Sequence, residues 1–457
     1  MRFLTLILLL LTQFAHSADW DLDPAFGNGG RQTTAFDAGG PLTDRIVKIL
    51  RYPDNLDGKY VAVGSASLAG GGIGIALARY NADGTLDTTF GGFGSGPGKV
   101  LKDACMTEVT HAAFDSNFRI IVVGTTSCSG NATTDAAVVR FTATGADDST
   151  FAGDGGVNVK FRPSFDVNDF GGAVLVLSDD SVLLGGNAAG NSAYVQKVSA
   201  SGVPSALAPA QTNSGANARK IVDVKLGQFN SSFWLISEVG QMLNRPGSIW
   251  KINNATLGND TTFSSFGGEN DLVVSSNGGT FASCGEGPEH RVSSLVRFGT
   301  RIYAVGFTAS SVSRSFMVGF GENDGSVRTY RCLESGTTPV NFTALAAEGS
   351  GDAGGSIYLA GSCGAPENFC LWRTVRADAG STSFIPDNSF NGGVPVSVSF
   401  SAGAGQAPQS TAFSMLRHGN KTVLAGLRVF NLASGDFDFA LARFGPDNPN
   451  IFQNGFE

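Results

Sequence analysis

Charge is scarce in this sequence. Only 15% of the 457 residues are Asp, Glu, Lys or Arg, and the formal net charge is −8. That balance argues against a nucleic-acid or anionic-membrane partner, both of which need a basic surface. Histidine is scarcer: there are four, and only His111, His290 and His418 lie beyond the first 17 residues. With no C-x-x-C spacing either, a zinc site has too few ligands. No G-x-S-x-G elbow and no H-E-x-x-H occurs. The glycine clusters Gly70–Gly74 and Gly319–Gly321 fail the dinucleotide and phosphate-loop patterns, and no helix follows them, so they read as loop. After the N-terminal Phe3–Leu11 run no apolar stretch approaches the ~20 residues that span a bilayer, and no 3.6-residue periodicity is sustained.

What is plentiful is glycine, 62 residues, about twice the usual share. It punctuates short apolar runs rich in Val, Ile, Phe and Ala, an all-β pattern. The first residues form a leader: Arg2, the apolar run, then Ala15-His16-Ser17 as a small-residue cleavage site, so residues 1–17 are expected to be a signal peptide. Six cysteines (Cys105, Cys128, Cys284, Cys332, Cys363 and Cys370) are an even count in an exported chain and predict three disulfides among fifteen connectivities.

A short strand ending in glycine recurs: Tyr60–Gly64, Ile121–Gly124, Val182–Gly185, Tyr303–Gly306, Tyr358–Gly361 and Val423–Gly426, with Phe233–Ser237 lacking the glycine. Six intervals separate Gly64 from Gly426, about 60 residues each, giving seven repeats. In each, a first strand such as Ile46–Leu50 precedes the glycine strand. A third such as Ile75–Tyr80 follows, then an Asn81–Gly84-type turn and an outer segment marked Asp87-Thr88-Thr89-Phe90, Asp148–Phe151, Asp260–Phe263 or Asp387–Phe390. This predicts a seven-bladed β-propeller of four-stranded antiparallel blades over residues 18–448, with 449–457 as a tail. The N-terminal Leu22–Gly27 is an outer segment alone, and the last repeat stops after its third strand at Phe444. Joining them completes the last blade and closes the ring.

Asp57–Gly64 (DGKYVAVG), Ala76–Gly84 (ALARYNADG) and Leu86–Gly91 (LDTTFG) together resemble the delta-60 repeat family of exported bacterial proteins. The match is sharp in the first two repeats, recognisable at Phe439–Phe444, and worn in the fourth to sixth. The resemblance implies a bacterial source and a propeller-like repeat, and no activity. Ile451–Glu457 is similar to a short C-terminal tag of some exported proteins, or is a frayed tail.

Third strands carry a cation at one repeated position: Arg79, Arg140, Lys197, Lys251, Arg373 and Arg443, with Gly319 the exception. A ring of cations could bind an anion. The better reading is structural, because Asp87, Asp148, Asp260, Asp387 and, through ring closure, Asp23 supply partners to Arg79, Arg140, Lys251, Arg373 and Arg443. Lys197 has no evident partner, and where the cation is missing Arg328 replaces the Asp. Asn81–Asp87 superficially resembles a calcium loop, but Arg79 occupies the preceding ligand position, so a turn is favoured. The three histidines read as structural, and neither Asp179-Asp180 nor Glu286/Glu289 can be set at catalytic separation from sequence alone.

Cys105 and Cys128 fall in two loops of one face of an up-and-down blade and are expected to pair. Cys332 and Cys363 are placed similarly, though Cys284 and Cys370 leave other pairings open. That face gathers the divergent loops Ser65–Gly74, Thr125–Asp135, Ser237–Gly247 and Leu427–Asp436, so any ligand is expected there and not on the regular-turn face. The leading expectation is therefore an exported monomer, extracellular or periplasmic. It would act as a binding or scaffold module for a protein or glycan, without cofactor, metal or catalytic residues. The alternative is a secreted hydrolase or lyase with its site over the central channel.

Overall fold

The strand Ile73–Tyr80 is buried on both faces, and the arrangement of its neighbours follows from that. Successive side chains of a strand point to opposite sides. Ile75 and Leu77 enter a core cluster with Val109, Ile120 and Val122 of the following repeat. Ala76 and Ala78 enter another with Phe439 and Leu441 from the end of the chain. The large–small alternation of this strand is thus the alternation between the two neighbouring repeats packed against its two faces.

The computed structural model describes residues 20–445 apart from 38–41, 94, 129–131, 189–191, 207–209, 212–218, 227–231, 240–246, 254–268, 272–288, 310–313, 323–326, 334–338, 352–353 and 377–383. The leader and tail readings fall outside the described residues. Six antiparallel sheets are formed, no α-helix occurs among the described residues, and among them no sheet closes on itself. Four sheets have four strands, as in Glu289–Phe298, Arg301–Ala309, Arg314–Gly321 and Val327–Leu333 taken in order. The other two depart from the expected four-stranded blade. The continuous strand Lys99–Phe114 serves as outer strand of the first repeat and first strand of the second, merging them into one seven-stranded sheet. Its passage is eased by Cys105, which adopts a left-handed φ of 51° and by a register shift between Ile73 and Ile75. In the sixth repeat Val396–Val398 adds a fifth strand against Asn368–Arg376.

The N-terminal strand is Arg31–Thr34, antiparallel to Asp436–Phe444 with Arg31 opposite Ala442. Leu22–Gly27, expected as the pairing segment, makes only an isolated bridge from Leu22 to Phe444. The Asp-Thr-Thr-Phe motif is likewise a turn, with the outer strand beginning after it. Its own side chains explain this: Asp87 Oδ1 accepts from the Thr89 amide (3.1 Å) and hydroxyl (2.7 Å), an Asx turn that competes with ladder pairing.

The second strands run on past the recurring glycine, as Tyr60–Ser67 does past Gly64 and Ile120–Thr126 past Gly124, and the glycine has a steric cause. Each first strand carries a bulge opposite it, and a Cβ on Gly64, Gly124, Gly361 or Gly426 would overlap the carbonyl oxygen of Arg45, Glu108, Asn341 or Thr411. In the third repeat this role falls to Gly186, against Phe170, and not to Gly185. The shift arises because Gly186 pairs with Gly171 ahead of the bulge while Gly185 pairs with Ala173 after it.

At Arg79, Arg140 and Arg443 the third-strand cation ties its repeat to a neighbour. Arg140 Nε donates to Asp148 Oδ2 (2.7 Å), Nη2 to Thr150 Oγ1 (2.9 Å), and Nη1 to the carbonyl of Ala200 in the following repeat's turn (2.6 Å). Arg79 does the same with Asp87, Thr89 and Ala143. Arg443 donates to Asp23 (2.7 Å) and to Ala82, bringing the last repeat onto the first. The guanidinium of each lies 4.6 Å over Phe151, Phe90 or Phe26. A second cation, absent from the sequence reading, also reaches the carboxylate: Lys59 at Asp87 (3.0 Å) and Lys421 at Asp23 (3.4 Å). Burial works to raise the Asp148 pKa, but the Thr150 hydroxyl and amide and the Arg140 charge outweigh it and hold it below the usual value. Arg373 meets Asp387 in the same way (2.6 Å). For Lys251 the expected partner Asp260 lies outside the described residues. Lys197, expected to stand alone, has a partner in Asp179 (3.2 Å), which comes from the turn between the first two strands of its sheet and not from an outer turn.

Two stability experiments follow from these contacts. Arg140 and Asp148 are 1% and 5% exposed, so Arg140→Ala should cost about 3–5 kcal/mol, the range for stranding a buried charge. Lys197→Ala, at a pair 29% and 60% exposed, should cost no more than ~1 kcal/mol; equal shifts in chemical denaturation would refute the inter-repeat role. Gly124→Ala should destabilise by about 1–3 kcal/mol or more, the cost of overpacking. Gly70→Ala, with nothing within 4 Å, should be nearly neutral by the same measurement.

Candidate functional site: the mouth between the first strands

The bulges that require the glycines also aim the residues before them. Arg45, Glu108 and Phe170 occupy the same pre-bulge position in the first three repeats, and all three line one cavity of about 560 Å³. Thr43, Ser65, Thr107 and Thr125 add hydroxyls, and Ile73, Val109, Leu427 and Phe437 add apolar wall, so four repeats contribute. The Thr107 hydroxyl donates to the Thr125 carbonyl (3.3 Å), and Thr43 and Ser67 hydroxyls meet at 2.6 Å. The Arg45 guanidinium lies 5.4 Å over the Phe413 ring. Further along the same strands Lys48 Nζ is 3.0 Å from Nε2 of buried His111. One cation, one carboxylate and several hydroxyls beside apolar wall suit a polar ligand with an apolar face.

Both described disulfides lie on this side. Cys105–Cys128, with Cα atoms 5.0 Å apart, tethers the loop next to Thr107 and Thr125. Cys363 bonds Cys370, not Cys332, because the two sit across a single hairpin with Cα atoms 5.5 Å apart. Cys332 is also disulfide-bonded, and Cys284 lies outside the described residues.

Buried carboxylates flank the cavity. Asp44, one residue from Thr43 and Arg45, is 2% exposed and accepts from the Phe36 amide (2.7 Å). Its pKa is pushed up to about 7, chiefly by burial, with Asp438, Asp37 and Asp436 adding repulsion against the Phe36 hydrogen bond. Asp37, Asp436 and Asp438 bring carboxylate oxygens within 4.8 Å of one another, and Arg428 clasps Asp438 through Nε (2.9 Å) and Nη2 (2.6 Å). At the junction of the second and third repeats Asp135 and Asp169 occupy the corresponding positions, and burial raises Asp169 to about 6.

The residues singled out from sequence are dispersed. The Arg–Asp pairs join the regular turns and do not line the cavity. Asp179 meets Lys197, and Asp180 meets the Ser116 hydroxyl (2.7 Å). His418 pairs with Asp54 (3.1 Å) next to the turn after its strand. His290 pairs through its backbone opposite Thr308, its side chain outside the described residues, as are Glu286 and the loop 240–246. Missed from sequence were Arg45, Glu108, Lys48, Asp44, Asp135 and Asp169. An Asp does recur at 135 and 438, one position ahead of the apolar runs Ala136–Phe141 and Phe439–Phe444, a signal that alignment of the repeats contains.

A family model described as a domain of unknown function (DUF5122) beta-propeller matches residues 56–90 and 119–151. The match supports β-propeller repeats over those two segments. Among solved structures the chain is similar to Drosophila Semaphorin 2a (8% identity, 90% of this chain and 75% of that one, TM-score 0.47) and to the periplasmic gluconolactonase PpgL of Pseudomonas aeruginosa (12%, 80% and 87%, 0.44). The Dos1 propeller is similar at 10% identity over 90% and 95% of the two chains, with a TM-score of 0.41. At such identities none of these assigns a ligand or reaction. No curated protein matches.

Asp44 generates a pH prediction. A carboxyl raised from 3.8 to about 7 stabilises the fold fully below pH 3.8 and loses that contribution as pH rises through 7, worth up to roughly 4 kcal/mol. Asp44→Asn keeps an acceptor for the Phe36 amide. The variant should therefore gain on the wild type steadily between pH 4.5 and pH 8 in chemical denaturation; a constant difference would remove Asp44 as the source.

Proposed function

We propose that the chain is an exported seven-bladed propeller, closed where Arg31–Thr34 joins the last sheet, that binds a protein or glycan over the mouth cavity. The observation that carries this reading is the cavity itself: it draws on four repeats, combines Arg45 and Glu108 with hydroxyls and apolar wall, and adjoins a disulfide-tethered loop. Tethered loops lose less entropy on binding. Two disulfides support an oxidising compartment, and no helix among the described residues is long and apolar enough to cross a membrane.

The residues that differ between repeats cluster at the mouth, while those that repeat build the framework. A binding surface needs such variation; the framework tolerates little of it. The test is a screen of glycan arrays and secreted-protein panels, followed by affinities of variants on each face. Thr107→Trp, at an exposed lining position, and Arg45→Glu should each weaken the best ligand by about tenfold or more, a loss of about 1.4 kcal/mol. Thr144→Trp, on an exposed regular turn, should leave it unchanged. Loss of binding in the turn variant alone would place the ligand on the other face.

A further inference from the structure

The junctions between the last and first repeats and between the second and third are built alike, and they differ in one respect. In each, an Asp opening a first strand (Asp44 or Asp169) donates its amide to the carbonyl just before a third-strand Asp: Asp44 to Phe437 (2.9 Å), Asp169 to Thr134 (2.8 Å). The two carboxylates of each junction are thereby brought near enough to repel, Asp438 acting on Asp44 and Asp135 on Asp169. At the first junction protein groups meet them: the Phe36 amide serves Asp44, and Arg428, cross-strand from Asp438, clasps that residue. At the second junction the residue cross-strand from Asp135 is Thr126, whose hydroxyl is turned to the Ala104 and Cys105 carbonyls.

The second pair has no such clasp, and only the more distant charges of Lys160 and Arg162 act on it. Asp169 is 0% exposed and neither carboxylate oxygen has a hydrogen-bond partner; Asp135 is 6% exposed and its Oδ1 has none. The Phe161 amide favours the charged Asp169 without closing a hydrogen bond. Nearby cations are engaged outward: Lys160 binds exposed Asp166 (3.2 Å) and Arg162 lies 4.2 Å over the Phe165 ring. The Thr134 amide and hydroxyl are spent on Asn168 Oδ1 and the Asp169 carbonyl. Buried carboxylates without partners are costly unless a counter-ion joins them.

We infer that Asp135 and Asp169 form a cation site that takes calcium, in the place the Arg428 guanidinium fills at the corresponding junction. Two hard oxygen donors from different strands suit calcium's flexible coordination better than the strict octahedron of magnesium, with water and backbone carbonyls completing the shell. The ion would pin the second repeat's third strand to the third repeat's first strand beside the mouth.

The experiment is calorimetric titration of the full chain with calcium chloride after dialysis against EGTA, together with thermal denaturation with and without the ion. Wild type should bind calcium and gain several degrees in Tm, while Asp135→Asn and Asp169→Asn, near-isosteric changes, weaken that site by at least about tenfold. Thr126→Arg, which installs the cation of the compensated junction, should abolish the response while leaving the ion-free protein at least as stable. No response in wild type, a response retained in full by both Asn variants, or one matched by magnesium would overturn the inference. An ion-free gain in Asp169→Asn with no calcium response would overturn it too, assigning the pair to proton binding.

Discussion

The structure depends on what a buried guanidinium does with its donors. Arg79, Arg140 and Arg443 each send one N–H to the Asp of their own repeat, one toward the following repeat's turn, and lie over a phenylalanine. Such a charge is tolerable inside only when it is paired and its donors are satisfied. Satisfying them requires the neighbouring repeat to be in place. The same requirement shapes the turn: Gly145, at φ +89°, sits with Phe90 where a Cβ would come within 2.8 Å of the ring, so the turn can close over the aromatic only without a side chain.

A second constraint acts on the opposite edge. The first-strand bulge drives a carbonyl against the second strand, glycine makes room for it, and the chain before the bulge is turned into the mouth. Bulges commonly re-aim side chains in this way. Framework and candidate site are thus two results of one repeated unit: in the first two repeats the Arg–Asp edge is the same, while the pre-bulge residue is Arg45 in one and Glu108 in the other.

The carboxylates at the mouth belong to both. Asp44 and Asp169 hold adjacent repeats together through their backbone amides, yet their side chains are buried beside other acids, which raises both pKa values. The residue opposite differs between the two: Arg428 faces Asp438 and clasps it, while Thr126 faces Asp135.

Sequence alone determined the repeat length, the all-β class, the strand order and the Arg–Asp pairing at 79/87, 140/148 and 443/23, because these recur at fixed spacing within one chain and recurrence is legible without coordinates. Tertiary structure decided what recurrence could not. Lys99–Phe114 runs unbroken through two repeats because Cys105 can turn left-handed inside it. Cys363 bonds Cys370 because the hairpin, and not the loop spacing, sets their separation. Lys197 finds Asp179 across a turn that the repeat pattern treats as neutral. The mouth cavity and its carboxylates appear only when residues more than a hundred positions apart are brought together, and a linear pattern carries no distance between them.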